Sequence, residues 1–286
     1  MGPKRFVWRV MKQILNRRKI LKTAAALGTA ALFLGGCGGV TEEMLASREK
    51  GIALLESGDY EGAVREFEEL TQNAKRVTDF ELDVLKYRAE AEFGSEDYEA
   101  AAHTYRILNQ VDRERAEYYY FGAAALAKAK DTEGAQEYLD AGRRLDEESA
   151  ENRSSKKGSP EKSERAPGYA QAVMALGDAF SAVGADDRAE ELYMELLDSG
   201  YGTTETYNCL MLAAMERGEY EAALELASGG QALSDGLAAR ELKFNEAVCY
   251  EYLGQFEKAL SLFREYVSEF GNDEKAEHEI AFLVTR

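Results

Sequence analysis

Few side chains in this chain combine the chemistry and the spacing of a catalytic or metal site. The 286 residues include two histidines, His103 and His278, and three cysteines. Neither histidine has a second histidine or a cysteine at ligand spacing, so we expect both at the surface and no metal. Cys209 and Cys249 are expected to be buried free thiols, although a disulfide between them stays open. There is no GxSxG, HExxH or phosphate-binding glycine loop.

The abundant carboxylates do not change this expectation. They follow helical spacing, which is typical of solvated helix faces and not of a tuned acid–base pair. We therefore predict a protein that is not an enzyme and has no cofactor. A hydrolase that uses some of these carboxylates is the alternative, and a purified chain without hydrolytic activity would remove it.

The charge distribution excludes a second class of function. The formal net charge is −18, and residues 1–36 hold eight basic residues and no acidic one. The remaining 250 residues are therefore strongly acidic and repel phosphate backbones and anionic headgroups. We predict no nucleic-acid partner, and any membrane attachment must come from something other than a basic patch.

The first 36 residues have the three parts of an export signal. A basic segment around Asn16–Lys19 precedes twelve apolar residues, Thr23–Leu34, and small residues lead to Cys37. Twelve helical residues span about 18 Å, which is too short for a bilayer core of about 30 Å. This pattern predicts a cleaved signal peptide over residues 1–36.

The residues Leu34-Gly35-Gly36-Cys37 resemble the bacterial lipobox. The resemblance implies a lipid on the Cys37 sulfur, cleavage before Cys37, and a protein anchored on the extracytoplasmic face of the cell membrane. Residues 37–43 would then form the lipidated N-terminus and a short tether. Two questions stay open: whether export is general or twin-arginine, and whether Met1 or Met11 starts the chain.

Beyond Cys37 one pattern recurs six times. Each copy has a helix with small residues, a short turn, and a second helix that opens with alanine, and five of the six copies carry an aromatic or leucine four residues later. The alanines lie at 63, 101, 135, 189, 223 and 259. Their spacings are 38, 34, 54, 34 and 36 residues, and 54 is 34 with an insertion of 20. One such hairpin cannot cover its own apolar face, so the hairpins must stack.

These residues resemble the tetratricopeptide repeat (TPR), a 34-residue helix-turn-helix unit. The resemblance implies an all-α, right-handed superhelical solenoid of about six repeats, with a C-terminal capping helix. We predict repeats 1–3 over residues 44–145 and repeats 4–6 with the cap over residues 169–286. The charged insertion over residues 146–168 has two of the three prolines and no aromatic residue, and we predict a disordered loop there.

The TPR resemblance also implies a binding groove, because the first helix of each repeat lines a concave face at repeat positions 2, 5, 9, 12 and 13. These positions hold apolar, basic and acidic side chains, the acidic ones including Asp83, Glu90 and Glu216. Ten of the side chains are the candidate partner-binding residues: Arg48, Ile52, Lys86, Phe93, Tyr120, Met174, Leu212, Met215, Phe244 and Tyr252. The asparagine of a carboxylate clamp is absent at position 9.

Together these patterns predict a lipid-anchored scaffold at the bacterial cell envelope that binds a protein or peptide in its groove. One alternative is an envelope- or pilus-assembly factor, which follows from analogy of fold. Another is capture of a small molecule or glycan, which paired exposed aromatic side chains would favour.

Overall fold

The computed structural model describes residues 39–72, 76–157, 164–233 and 238–286, without the side chains of 152–157. The chain divides into two compact units, Met1–Ala172 and Val173–Arg286, and each is considered by itself. The predicted signal peptide over residues 1–36 and the predicted lipidation site Cys37 lie outside the described residues.

The described residues form thirteen α-helices and no strand. In the first unit these are α1 (Glu42–Ser57), α2 (Tyr60–Gln72), α3 (Asp79–Gly94), α4 (Tyr98–Val111), α5 (Ala116–Lys128) and α6 (Thr132–Lys157). Helix α7 (Tyr169–Ala182) begins in the first unit and ends in the second. The second unit continues with α8 (Asp186–Ser199), α9 (Thr204–Glu216), α10 (Tyr220–Gln231), α11 (Ala238–Tyr252), α12 (Phe256–Phe270) and α13 (Glu274–Leu283). The all-α fold class is confirmed.

Six turns at equivalent positions confirm the phase of the repeat. Between the two helices of each repeat, one residue has a positive φ: 86° at Gly58, 67° at Glu96 and Lys130, 74° at Gly184 and Gly218, and 72° at Gly254. Their spacings along the chain are those of the six alanines. Four of the six are glycine, the residue that adopts this left-handed conformation at no steric cost.

Glycines on two of the first helices let the second helix pack closely, as the repeat pattern predicts. A methyl group placed on Gly51 would lie 2.6 Å from the Phe67 ring, and one on Gly177 would lie 2.6 Å from the Tyr193 ring. Both aromatic side chains are buried. The glycine and the aromatic ring therefore form one packing unit that recurs in repeats one and four.

The insertion differs from its prediction. Residues 146–157 are not a loop but continue α6, which reaches Lys157. The segment has no glycine or proline before Gly158, and its acidic, basic and alanine residues are compatible with a helix. Asp146 is buried, and its carboxylate accepts a hydrogen bond of 3.0 Å from the backbone N–H of Ala166. This contact ties the last residues of the insertion to α6.

The C-terminal capping helix is present as α13. Its buried residues Ala276 and Leu283 join a cluster with Phe263 and Tyr266 of α12. Asp273 caps the helix by accepting hydrogen bonds from the backbone N–H groups of Lys275 and Ala276. No helix among the described residues is both long enough and apolar enough to cross a bilayer.

Candidate partner-binding surface

In the first unit, the predicted basic groove residues contact their own chain. The Arg48 guanidinium donates to the Asp83 carboxylate at 2.6 and 2.8 Å and lies 5.2 Å from the centre of the Tyr87 ring. The Lys86 ammonium lies 5.7 Å from the centre of the Tyr118 ring. Arg48 thus joins α1 to α3, and Lys86 joins α3 to α5.

The predicted apolar groove residues of this unit are partly or wholly buried. Ile52 packs against the core around Leu55, and Phe93 meets Tyr98 edge to face at 5.2 Å between ring centres. Tyr120 is 0% exposed, so its assignment to a partner-binding surface was wrong.

The place of Tyr120 explains this correction. Its hydroxyl donates to the buried carboxylate of Asp146 at 2.8 Å, and its ring meets Tyr169 edge to face at 5.4 Å. Tyr120 therefore joins α5 to α6 and to the start of α7. Asp146, the partner of the Tyr120 hydroxyl, lies where α6 continues into the insertion.

Two predicted groove residues of the second unit are exposed. Leu212 on α9 is 41% exposed and Tyr252 on α11 is 66% exposed. Met215 and Phe244 are partly buried, and Phe244 packs edge to face on two aromatic rings of α12. Met174 is also partly buried, and its sulfur lies 3.9 Å from the Thr206 hydroxyl.

An amide network that the sequence analysis missed lies on the same two helices. The Asn208 side chain donates to Glu241 at 3.3 Å, and Asn245 donates to the Asn208 oxygen at 3.0 Å. Asn208 is buried, and these two hydrogen bonds satisfy its amide within the protein. The 37-residue separation of the two asparagines, close to one repeat, is the signal that could have revealed the network.

Two glutamates on α3 stand in very different environments. Glu92 is buried, and its carboxylate accepts hydrogen bonds of 2.6 Å from Arg88 and 2.6 Å from Thr104. Glu90 is partly buried, yet it has no hydrogen-bond or ion-pair partner among the described residues. Burial, together with the charge of Glu56, raises the pKa of Glu90 to about 7.

The histidines and cysteines singled out in the sequence are two exposed imidazoles and two free thiols. His103 is exposed, with its Nδ1 at 2.7 Å from Arg106, and the side chain of His278 is 80% exposed. Cys209 and Cys249 are free thiols, and burial raises the pKa of each to about 12. No group of three or more metal-ligating side chains occurs in the described ranges.

Comparison with known proteins bears on the fold. No protein-family model and no curated protein sequence matches the chain. Solved structures do match it. A tetratricopeptide repeat protein from Parabacteroides merdae has a TM-score of 0.51 and 14% identity over 84% of each chain. The fold is that of a tetratricopeptide repeat protein.

Two further solved structures agree with this fold. PilW, a type IV pilus biogenesis factor, has a TM-score of 0.57 and 13% identity over 85% of this chain and 99% of PilW. The quorum sensor NprR from B. thuringiensis has the same TM-score and identity over 98% of this chain and 75% of NprR. At these identities the likeness extends to the fold alone.

Proposed function

We propose that this protein is a scaffold that binds a protein segment along the first helices of its repeats. The observation that carries the proposal is the exposure of Leu212 and Tyr252 on α9 and α11, where large apolar side chains face solvent. Exposed apolar side chains on a rigid helical surface are typical of sites that bind extended or helical peptides.

A photo-crosslinking amino acid at position 212 or 252, in the organism that expresses the protein, tests this surface. Position 194 is the matched control, because Met194 on the second helix α8 is 42% exposed, as Leu212 is. We expect a crosslinked protein from positions 212 and 252 that is absent from position 194. The same adducts from all three positions, or none from any, would place the binding surface elsewhere.

We also propose that a lipid on Cys37 holds the scaffold at the extracytoplasmic face of a bacterial membrane. The lipobox-like residues Leu34-Gly35-Gly36-Cys37 support this proposal. Only four residues separate Cys37 from the first residue of α1, and they span at most about 14 Å. The first repeat would therefore lie close to the bilayer.

Metabolic labelling with a fatty-acid analogue tests the anchor. The intact chain should take up the label and sediment with membranes, whereas a Cys37→Ala chain should lose both properties. A matched Cys209→Ala chain should keep them. Labelling that survives Cys37→Ala would remove the anchor from the proposal but leave the binding surface untouched.

A role in envelope or pilus assembly is a narrower version of the same function. The likeness to PilW supports it, because that protein is a pilus biogenesis factor with the same fold. The crosslinked partner separates the versions: a pilus or envelope-assembly component supports this role, and any other partner supports a general scaffold.

Capture of a small molecule or glycan is favoured by one contact. The Tyr220 and Tyr252 rings are stacked at 4.7 Å with an angle of 8° between their planes, so a partly buried and an exposed tyrosine form an aromatic pair in the second unit. Binding of a panel of bacterial glycans, lost in Tyr252→Ala but not in Leu212→Ala, would support this function. Equal binding by both variants would oppose it.

A further inference from the structure

The centre of the first-helix face in the first unit carries a carboxylate without a countercharge. Ile52, Glu90 and Ala124 occupy the equivalent positions of α1, α3 and α5. The neighbours of Glu90 at these positions are thus a partly buried isoleucine and a buried alanine. Neither supplies a hydrogen-bond donor or a positive charge.

The basic side chains in this region contact other groups. Arg48 is paired with Asp83, and the Lys86 ammonium lies over the Tyr118 ring. The charge that acts on Glu90 is a negative one, because the carboxylate of Glu56 on α1 raises its pKa. Tyr105 on α4 is buried, and its pKa is raised by that burial first and then by the charge of Glu90. The described residues therefore give Glu90 a like charge and no countercharge.

Glu92 shows what a structural carboxylate requires on the same helix. It lies two residues away and has two short hydrogen bonds, one of them from the Arg88 guanidinium. A partly desolvated carboxylate without such partners is costly in a folded protein unless water or a ligand supplies them. Glu90 is partly buried and lacks the two partners that Glu92 has.

We propose that Glu90 binds a lysine or arginine side chain of the partner segment on α1, α3 and α5. The inference rests on the proposed function, and it adds the chemistry of the partner: a segment with a basic residue, flanked by an apolar side chain that contacts Ile52. A cation at this place would satisfy the carboxylate and offset the repulsion from Glu56.

Two further observations support the inference. The raised pKa of Glu90 is what burial beside Glu56 produces in the absence of a cation. The acidic character of the chain beyond residue 36 also favours association with a basic segment over an acidic one.

The test uses the full-length chain in detergent micelles and a displayed library of random twelve-residue peptides as the probe. We expect the selected peptides to share a lysine or arginine. Replacing that residue by its uncharged counterpart, norleucine or citrulline, should weaken binding to the unmodified protein about tenfold or more. This comparison needs no protein variant, so it does not depend on the folding of one.

The complementary variant is Glu90→Gln, which keeps the shape of the side chain and removes its charge. It should lose about tenfold or more in affinity for the basic peptide and show no such loss for the norleucine or citrulline peptide. Glu225→Gln is the matched control, because it removes an exposed carboxylate from the second helix α10, away from the first-helix face. Circular dichroism confirms that both variants fold.

The outcomes separate the two proposals. Peptides that bind equally to the intact protein and to Glu90→Gln, with no loss on citrulline replacement, would overturn the role of Glu90 while peptide binding stands. Peptides that prefer an acidic residue would also overturn it. A library without any binding peptide would oppose both the inference and the proposed function.

Discussion

Replacement of Glu90 by glutamine should stabilise the protein in a strongly pH-dependent way. Glu90 is partly buried on α3, and its charge interacts with that of Glu56 on α1 and raises the pKa of the buried Tyr105 on α4. Burial first, and the charge of Glu56 second, raise its pKa from 4.5 to about 7. The folded protein therefore resists ionisation of a group that ionises readily in the unfolded chain.

The sign and size of the effect follow from this difference. Well below pH 4.5 the carboxyl is protonated in both the folded and the unfolded chain, so it does not change the free energy of unfolding. As the pH rises from 4.5 through about 7, only the unfolded chain ionises freely, so the free energy of unfolding falls. A rise in pKa from 4.5 to about 7 corresponds to about 3 kcal/mol once ionisation is complete, as an upper limit because solvent reaches part of the group.

Urea unfolding followed by far-UV circular dichroism measures the effect at two pH values. Glu90→Gln should raise the free energy of unfolding at about pH 8 by up to about 2.5 kcal/mol more than at about pH 5. The exposed Glu216→Gln replacement is the control and should show no such difference. In a Glu56→Gln background the stabilisation by Glu90→Gln should be smaller, because the charge of Glu56 no longer raises the pKa of Glu90. A gain that is equal at both pH values, or a loss at about pH 8, would refute the reasoning.

Two other replacements and one thiol-labelling experiment test the fold. Lys130 is exposed and has a φ of 67°, a conformation that glycine adopts without strain. Lys130→Gly should therefore raise the free energy of unfolding in urea by about 1 kcal/mol. An unchanged free energy of unfolding would contradict the strain at this turn. Tyr120→Phe should cost about 1.5–3 kcal/mol by the same assay, since Asp146 loses its buried donor, whereas Tyr252→Phe should cost little. Cys249 is 0% exposed and has a raised pKa, so it should react with a thiol reagent only as fast as the protein opens, and rapid reaction without urea would contradict its burial.

The repeat architecture could be predicted from the sequence because its determinants are local. Alanine and glycine at fixed positions set the distance between two helices, and the turn between them needs one left-handed residue. Even where this residue is not glycine, at Glu96 and Lys130, the spacing of the neighbouring alanines was enough to identify the turn. The capping helix followed in the same way from its apolar face.

The insertion and Tyr120 could not be predicted together, because each depends on the other. A repeat pattern assigns every residue by its position in the period, and Tyr120 falls at a groove position. The twenty added residues break the period, lengthen α6 and place Asp146 where the Tyr120 hydroxyl can reach it. Composition alone suggested a loop, whereas the absence of glycine and proline before Gly158 was the better guide to the helix.

Glu90 shows most sharply where sequence reasoning stops. Lys86 and Glu90 stand four residues apart on α3, as do Arg88 and Glu92, so helical spacing predicts two equivalent ion pairs. The structure forms the second pair at 2.6 Å, whereas the Lys86 ammonium lies 5.7 Å from the centre of the Tyr118 ring on α5. Whether Lys86 pairs with Glu90 on its own helix or with the Tyr118 ring on α5 depends on how the helices pack against each other. The sequence pattern of a single repeat does not contain this information. If the Tyr118 ring holds Lys86 in this way, Tyr118→Leu should release the lysine toward Glu90. The pKa of Glu90, followed by NMR, should then fall below about 7, and an unchanged pKa would show that the ring is not what separates the two charges.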